Sequence, residues 1–289
     1  MTIKTFRGEF IAQLKTYYPE MEILTFFNRL AENYLGMKRI DITLNPDKKL
    51  TETEQKQLIT ALNRLKKHEP LQYILGETEF YGLLFKVNKN VLIPRPETEE
   101  LVEWVIKDFQ KTTSAARKNE PFKILDIGTG SGCIAVSLAK NIPQAQVFGL
   151  DFSKKSVEIA KKNADFNAVS VDFLVEDILT LEALPQQFDC IVSNPPYVRE
   201  LEKAELQPNV LDHEPASALF VPDQNALLFY RKIAAFALKN LVPGGRLYFE
   251  INEYLEAETR ELIAGFGYKE IVLHKDIFGK PRMLKAIKS

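Results

Sequence analysis

A short polar motif at residues 193–197, Ser-Asn-Pro-Pro-Tyr, has the side chains best suited to chemistry. It follows an apolar stretch that predicts a buried strand. The amide of Asn194 offers an acceptor oxygen and a donor NH2 group. Pro195 and Pro196 have a fixed φ and no N–H, so the turn is stiff and presents carbonyl oxygens, while Tyr197 adds a flat ring for stacking. Such a site suits a planar –NH2, on a carboxamide or an exocyclic amine; the alternative is a Pro-Pro strand terminator followed by a core tyrosine.

A glycine-rich stretch at residues 126–132, Asp-Ile-Gly-Thr-Gly-Ser-Gly, is the second candidate. Its alternate glycines allow a tight bend and close approach of a ligand, and Asp151, at the end of the next predicted strand, would face ribose hydroxyls. The spacing departs from the dinucleotide fingerprint, and Asp126 suits a cationic amino-acid head better than a pyrophosphate. The pattern therefore favours S-adenosylmethionine over NAD, with Asp177 and Ile178 as adenine contacts. A tight turn without a ligand is the alternative.

Length and charge limit the function classes. The 289 residues allow one large domain or a domain with a smaller companion. A formal net charge of -1 argues against a strongly basic nucleic-acid binder but leaves a local basic patch open. Two cysteines predict no disulfide framework, and three scattered histidines predict no metal site. Without an apolar signal region or a bilayer-length apolar run, we expect a cytoplasmic protein.

The elements that must position these motifs begin with a predicted helical bundle at residues 1–70. Apolar side chains recur at helical spacing, and Thr51 and Glu54 form a capping-box pattern that opens a third helix through Leu65. Such a bundle could pack against the main domain or dock a macromolecular partner. The periodicity does not separate these two interpretations.

A β-hairpin linker is predicted at residues 71–95. Its strands would be the apolar, glycine-bounded stretches 71–76 and 80–87. Thr98 is then the predicted N-cap of a helix over 101–109. A polar surface linker is predicted at residues 111–120.

The predicted main domain, residues 96–289, alternates strands with helices from residue 122 onward. This order predicts a mostly parallel sheet covered on both faces. The predicted strands are 122–127, 146–150, 169–175, 188–193, 246–251, 269–274 and 282–288, and the predicted helices are 133–140, 153–163, 229–241 and 253–264.

The glycine loop, Asp151 and the Asn-Pro-Pro-Tyr motif stand on the first, second and fourth predicted strands. This order resembles the class I S-adenosylmethionine-dependent methyltransferases that act on amino groups. The whole chain resembles the HemK/PrmC family, the release factor glutamine N5-methyltransferases. The resemblance extends to the stretches 70–76, 92–99, 213–219 and 276–282.

The resemblance implies a Rossmann-like, mostly parallel seven-stranded sheet with an N-terminal helical bundle that docks peptide chain release factors. It implies methyl transfer from S-adenosylmethionine to the side-chain amide nitrogen of the glutamine in a Gly-Gly-Gln motif, with S-adenosylhomocysteine as product. It implies no membrane and no direct nucleic-acid partner. The implied cofactor-binding residues are Asp126, Gly128, Thr129, Gly130, Ser131, Gly132, Asp151, Asp177, Ile178 and Asn194, and the implied catalytic and substrate-binding residues are Asn194, Pro195, Pro196 and Tyr197.

Three features depart from this family's pattern: Ile178 stands where some relatives have an aromatic ring, residues 224–226 follow Asp223 where a glycine is common, and Asn252 stands where glycine is common. The mechanism needs no general base, because the product sheds its proton after transfer. We therefore assign that role to none of Glu97, Glu99 and Glu250.

Three rival functions remain to be weighed. Nucleic-acid adenine-N6 methyltransferases share the Asn-Pro-Pro-Tyr motif and would use it to hold a flipped base. The near-neutral charge and the lack of a separate basic recognition region oppose this function. A non-catalytic scaffold with a methyltransferase fold is opposed by the two intact motifs. A dehydrogenase is opposed by the glycine spacing.

Overall fold

The computed structural model describes residues 1–112 and 121–289. These residues belong to two compact units. One consists of Met1–Gly76 with Gln207–His213, and the other of Glu77–Leu206 with Glu214–Ser289. Most of the surface linker predicted at 111–120 lies outside the described residues.

The regular elements follow one another along the chain. The α helices are α1 (Ile3–Leu14), α2 (Glu20–Leu35), α3 (Arg39–Leu44), α4 (Glu52–Leu65), α5 (Leu71–Leu75), α6 (Pro96–Thr112), α7 (Cys133–Asn141), α8 (Lys154–Phe166), α9 (Pro208–Leu211), α10 (Leu228–Asn240) and α11 (Glu256–Gly265). The strands are β1 (Glu77–Phe80), β2 (Leu83–Lys86), β3 (Phe122–Ile127), β4 (Ala145–Asp151), β5 (Asp172–Val175), β6 (Phe188–Ser193), β7 (Val198–Arg199), β8 (Phe220–Val221), β9 (Leu241–Glu250), β10 (Lys269–Lys275) and β11 (Pro281–Ile287). Short 3-10 helices follow β7, β8 and β9.

The first unit is a helical bundle closed around an aromatic cluster. Phe6 and Phe10 of α1 lie against Phe27 of α2, with ring centroids 5.5 to 6.4 Å apart. The predicted capping box at the start of α4 is confirmed. Thr51 N donates to Glu54 Oε2 at 2.7 Å, and Glu54 N donates to Thr51 Oγ1 at 3.2 Å.

The first strand of the predicted hairpin is wrong. Most of the segment 71–76 forms the helix α5, Leu71–Leu75, in which Tyr73 N and Ile74 N donate to Pro70 O. Gly76 ends this helix at φ 76°, in the left-handed region that favours glycine. A six-residue apolar run does not by itself distinguish helix from strand. The hairpin exists, but it pairs β1 with β2.

The second unit is built on a seven-stranded sheet in the order β10-β11-β9-β6-β3-β4-β5. Neighbouring strands from β9 to β5 are parallel, and β11 pairs antiparallel with both of its neighbours, β9 and β10. Side chains of α6, α7 and α8 pack in the core on one face, and those of α10 and α11 pack on the other. The predicted mostly parallel sheet is confirmed.

The chain order of this sheet creates a crevice at one edge. From β3 the chain moves outward to β4 and β5, and then it returns to the other side of β3 as β6 and β9. Ligands of open α/β sheets bind at the carboxyl ends of the strands where this reversal occurs. The ends of β3, β4 and β6 are therefore the place to look for a site.

The helix predicted at 101–109 begins earlier, so the N-cap prediction for Thr98 is wrong. α6 begins at Pro96, since proline at the first helical position has a suitable φ and lacks an N–H that would go unpaired. Thr98 thus lies inside the first turn, 2% exposed. Its hydroxyl is free of capping and serves the site described below.

Within residues 1–112 and 121–289, no helix has the length and apolar character that a bilayer span requires. The same residues contain no group of three or more His, Cys, Asp or Glu side chains that could hold a metal ion.

We expect Thr51→Ala to destabilise the first unit by about 1 kcal/mol, because Glu54 N loses its side-chain acceptor. Native-state hydrogen exchange of the α4 amides reads this change in the unit that carries it. The matched control is Thr60→Ala in the same helix. Thr60 is exposed and bonds only Lys56 O, so its effect should stay within about 0.5 kcal/mol. Equal effects of the two variants would contradict the capping role.

Candidate active site

A cleft of about 320 Å³ lies at the carboxyl ends of β3, β4 and β6. It brings the two predicted motifs together: Gly128, Gly130 and Asp151 line it, and so do Asn194 and the two prolines that follow. The walls are more apolar than polar, with a few converging polar groups. This is the usual composition of a small-ligand site.

The glycine loop leaves its backbone open to the cleft. Gly128 N and Thr129 N donate to Leu150 O at 2.8 and 3.0 Å, which holds the loop against the end of β4. Gly128 has φ 76°, and a Cβ added there would meet no protein atom within 4 Å. A ligand can therefore approach this backbone as closely as the predicted cradle requires.

Gly132 has a different task from Gly128. Its φ is 81°, but a Cβ added there would come within 3.0 Å of Ala160 Cβ on α8. It does not line the cleft. Gly132 thus allows α7 and α8 to pack closely, and its predicted contact with a cofactor stays a prediction.

Asp151 closes the loop from the neighbouring strand. Its Oδ2 accepts Gly130 N at 2.9 Å and its Oδ1 accepts Ser153 N at 2.8 Å. Burial raises the pKa of this carboxyl, and the two backbone hydrogen bonds oppose that rise. Each oxygen keeps a second lone pair, so the carboxylate fits a pair of ligand hydroxyls.

Asp126 is fully buried beneath the loop and does not line the cleft. Its Oδ2 accepts Thr129 Oγ1 at 2.6 Å and Ala135 N at 3.3 Å. Burial raises the pKa of Asp126 to about 7. Thr129 and Ser131 are also buried and also absent from the cleft lining. Direct cofactor contacts of these three side chains stay predictions.

The same cleft is also lined by Asp177 and Ile178 and by Phe229 and Ile233 of α10; these four residues are called the slot below. The two α10 residues were not predicted as site residues, since helical periodicity alone marks them as core. A slot of this composition suits a flat ring with a polar edge.

The Asn-Pro-Pro-Tyr motif is tied to two distant segments through hydrogen bonds. Asn194 Nδ2 donates to Thr98 Oγ1 at 3.1 Å, and Thr98 Oγ1 donates to Glu250 Oε2 at 2.6 Å. Tyr197 OH donates to Glu250 Oε1 at 2.9 Å. The strand register explains this meeting, because Ser193 pairs with Phe249 and the next residues, Asn194 and Glu250, follow side by side.

Tyr197 does not lie where stacking on a substrate in the cleft would require it. It does not line the cleft, and its ring packs against the core that includes Tyr230 and Phe249. Asn252 Nδ2 also donates to the Tyr197 carbonyl at 3.0 Å. The predicted stacking of Tyr197 on a substrate stays a prediction, whereas its structural contact with Glu250 is observed.

Glu250 is a buried acid that the sequence analysis considered only as a base. It is 1% exposed, and burial raises its pKa while the hydrogen bonds from Thr98 and Tyr197 oppose the rise. Both oxygens are already occupied as acceptors. The pairing of β6 with β9 places Glu250 beside Asn194, and this register cannot be read from the sequence.

Known proteins of similar sequence are release factor glutamine methyltransferases. The one from Flavobacterium psychrophilum is 54% identical over 285 residues, covering 99% of each chain. The one from Bacteroides thetaiotaomicron is 43% identical over 274 residues, covering 94% of this chain and 95% of that protein. The chain belongs to this family. The resemblance noted from the motifs is thereby confirmed.

Two family models match separate parts of the chain. The PrmC N-terminal domain matches residues 9–76, and the methyltransferase small domain matches residues 109–215. A methyltransferase from Pyrococcus furiosus has a TM-score of 0.51 at 17% identity, covering 83% of this chain and 100% of that one. This likeness supports the fold alone. The predicted class I, Rossmann-like fold with an N-terminal helical domain is confirmed.

Two of the stretches that carried the family resemblance meet at the rim of the cleft. Glu214 Oε1 accepts Arg95 Nη2 at 2.6 Å, and its Oε2 accepts Ile93 N at 3.0 Å. Their neighbours Leu92 and Pro215 both line the cleft. The side chain of Glu214 is 1% exposed. This ion pair therefore fixes the rim, a role that the sequence analysis did not assign to it.

A buried asparagine ties the hairpin to the glycine loop. Asn163 Oδ1 accepts Lys86 N at 2.7 Å, and its Nδ2 donates to Ser131 O at 2.8 Å and Lys86 O at 3.0 Å. This role of Asn163 was not predicted, because its position in the sequence indicates only a polar residue on α8.

We expect Glu214→Gln to lower the free energy of unfolding of the second unit by about 1 to 3 kcal/mol, because Arg95 loses a nearly buried charged partner. Urea unfolding followed by fluorescence of Trp104, the single tryptophan, measures it in the same unit. The control is Glu182→Gln, which breaks the exposed pair with Lys239 and should change stability by at most about 0.5 kcal/mol. Indistinguishable unfolding curves of Glu214→Gln and the wild type would contradict the role of this ion pair at the rim.

Proposed function

We propose that this protein transfers a methyl group from S-adenosylmethionine to the side-chain amide nitrogen of the glutamine in the Gly-Gly-Gln motif of peptide chain release factors. The observation that carries the proposal is the shared cleft. Asn194 and its prolines line the same 320 Å³ space as Gly128, Gly130 and Asp151. Membership in the family of release factor glutamine methyltransferases supports the substrate.

The cofactor would be held by the part of the cleft around the glycine loop. The Asp151 carboxylate suits the ribose hydroxyls, and the slot with Asp177 and Ile178 suits the adenine. The open backbone at Gly128 leaves space for the amino-acid portion. When bound, S-adenosylmethionine supplies a methyl group activated by the sulfonium.

The chain's own contribution is to position and polarise the substrate amide. An amide nitrogen is a weak nucleophile, because its lone pair is delocalised into the carbonyl. Asn194 Oδ1 and the Pro195 carbonyl would accept the two N–H groups and stabilise positive charge that develops on nitrogen. Positioning alone can lower a barrier by roughly 7 kcal/mol. Glu250 needs no role as a base, since the product sheds its proton after transfer and Glu250 does not line the cleft.

The helical unit, with a family match over residues 9–76, is the proposed docking module for the release factor. Release factors act during translation, so we place the reaction in the cytoplasm. The proposal needs neither a metal nor direct binding of nucleic acid.

The decisive assay uses the full-length protein, labelled S-adenosylmethionine and a release factor containing Gly-Gly-Gln. We expect one methyl group on that glutamine by mass spectrometry and none on a substrate with Gln→Ala. Asn194→Ala should weaken cofactor binding by no more than about threefold by calorimetry, because Asp151 and the glycine loop remain, but turn over about 100-fold more slowly or worse. Methylation of the Gln→Ala substrate, or preferential labelling of DNA, would overturn the proposed function.

We expect Asp151→Ala to weaken binding of S-adenosylmethionine at least tenfold, because two charge-assisted hydrogen bonds to hydroxyls are lost. Isothermal titration calorimetry measures the affinity, and thermal unfolding confirms that the variant is folded. Asp172→Ala is the control, since this carboxylate is exposed on β5 and bonds only Gln146. An unchanged affinity of Asp151→Ala would refute the ribose role.

A further inference from the structure

We propose that Thr98 and Glu250 are positioning residues that set the direction of the Asn194 amide, so that its oxygen and not its NH2 group faces the substrate. The proposal deepens the proposed function and rests on it for the identity of the substrate. Neither residue lines the cleft. Both act through Asn194, which does.

The direction of the amide follows from which groups can donate. With Glu250 ionised, its carboxylate only accepts hydrogen bonds, so the Thr98 hydroxyl gives its single proton to Glu250 Oε2, 2.6 Å away. Thr98 Oγ1 is then left as an acceptor. The side of Asn194 that faces it at 3.1 Å must therefore be the NH2 group.

The opposite side of the amide is thereby determined. With Nδ2 held by Thr98, Oδ1 is directed away from Thr98, and no residue in the described ranges donates to it. An oxygen in this position accepts from a substrate –NH2 group. The same oxygen repels a carboxylate, so the network favours a glutamine side chain over a glutamate one.

Glu250 can set this direction because it is itself held rigidly. Its Oε1 accepts Tyr197 OH at 2.9 Å, and its backbone oxygen accepts Tyr230 OH at 3.3 Å. Tyr230 OH in turn accepts Asn252 N at 3.2 Å. One carboxylate thus secures the first and the last residue of Asn-Pro-Pro-Tyr.

The Thr98 side chain is placed so that its hydroxyl bonds only the two partners named above among the described residues. It lies in the first turn of α6, it is 2% exposed, and it makes no capping bond. Valine has the same shape without the hydroxyl, whereas serine keeps the hydroxyl without the methyl group. These two substitutions separate the hydrogen bond from the packing of the side chain.

The kinetic test compares Thr98→Val, Thr98→Ser and Glu250→Gln in the methyl-transfer assay. We expect Thr98→Val and Glu250→Gln to lower kcat about tenfold, with cofactor affinity unchanged, and Thr98→Ser to restore kcat to within about threefold of wild type. Tyr248→Phe is the matched control. It removes another buried hydroxyl from β9, bonded to Asp108, and should leave kcat unchanged. An equal loss in Tyr248→Phe would show a merely structural effect.

A double-mutant cycle tests whether Thr98 acts through Asn194. In the Asn194→Ala background, Thr98→Val should change kcat less than about twofold, because the amide that it directs is gone. Multiplicative losses would overturn the proposal.

A readout independent of activity separates this proposal from the proposed function. In protein labelled with ¹⁵N-asparagine, the side-chain NH2 signal of Asn194, assigned by its loss in Asn194→Ala, should exchange slowly with solvent in wild type and Thr98→Ser. It should exchange about tenfold faster or more in Thr98→Val. Equal exchange in all three overturns the positioning role. Absence of glutamine methylation by the wild type overturns only the proposed function.

Discussion

The site depends on one buried carboxylate that joins segments far apart in the chain. Glu250 accepts hydrogen bonds from Thr98, 152 residues earlier, and from Tyr197, 53 residues earlier. Burying a charge is unfavourable unless each of its oxygens is paired, and here both are. The stiff Pro-Pro turn supplies local rigidity, but a turn alone does not determine where it points. The hydrogen bonds that the Glu250 carboxylate accepts fix the orientation of this turn.

This meeting is possible only because of the strand order. Parallel strands bring their carboxyl ends to one edge, and the reversal between β3 and β6 opens a crevice there. The register then sets side chains of β6 and β9 next to each other, with Ser193 opposite Phe249. Asp151, at the end of β4, reaches the glycine loop from the other side. The sheet therefore brings the glycine loop and the Asn-Pro-Pro-Tyr motif to the same cleft.

The features that could be predicted from the sequence are those written in local patterns. β3 and β6 match the predicted bounds of 122–127 and 188–193, because both are apolar runs ended by turn residues. The glycine loop, Asp151 and Asn194 were found because their chemistry is evident at short spacing. The cleft that joins them agrees with the predicted arrangement.

What could not be predicted depends on contacts across long separations. The sequence predicts Thr98 as a helix cap, although its hydroxyl contacts Asn194, 96 residues away. Glu214 contacts Arg95 across 119 residues. The sequence predicts a strand at 71–76, since a short apolar run is compatible with either a strand or a helix. In each case the residue type was informative, but its partner was not visible in the sequence.

The buried acids Asp151, Glu250 and Asp126 at this edge of the sheet differ in how completely they are paired. Asp151 is satisfied by two backbone amides, and Glu250 by two hydroxyls. Asp126 has donors to Oδ2 only, and its Oδ1 has no partner among the described residues. An incompletely paired buried carboxyl holds its proton more readily, which agrees with a pKa raised to about 7. A cation bound above the glycine loop would favour the ionised form of Asp126, so binding of such a cation would depend on the charge of this acid.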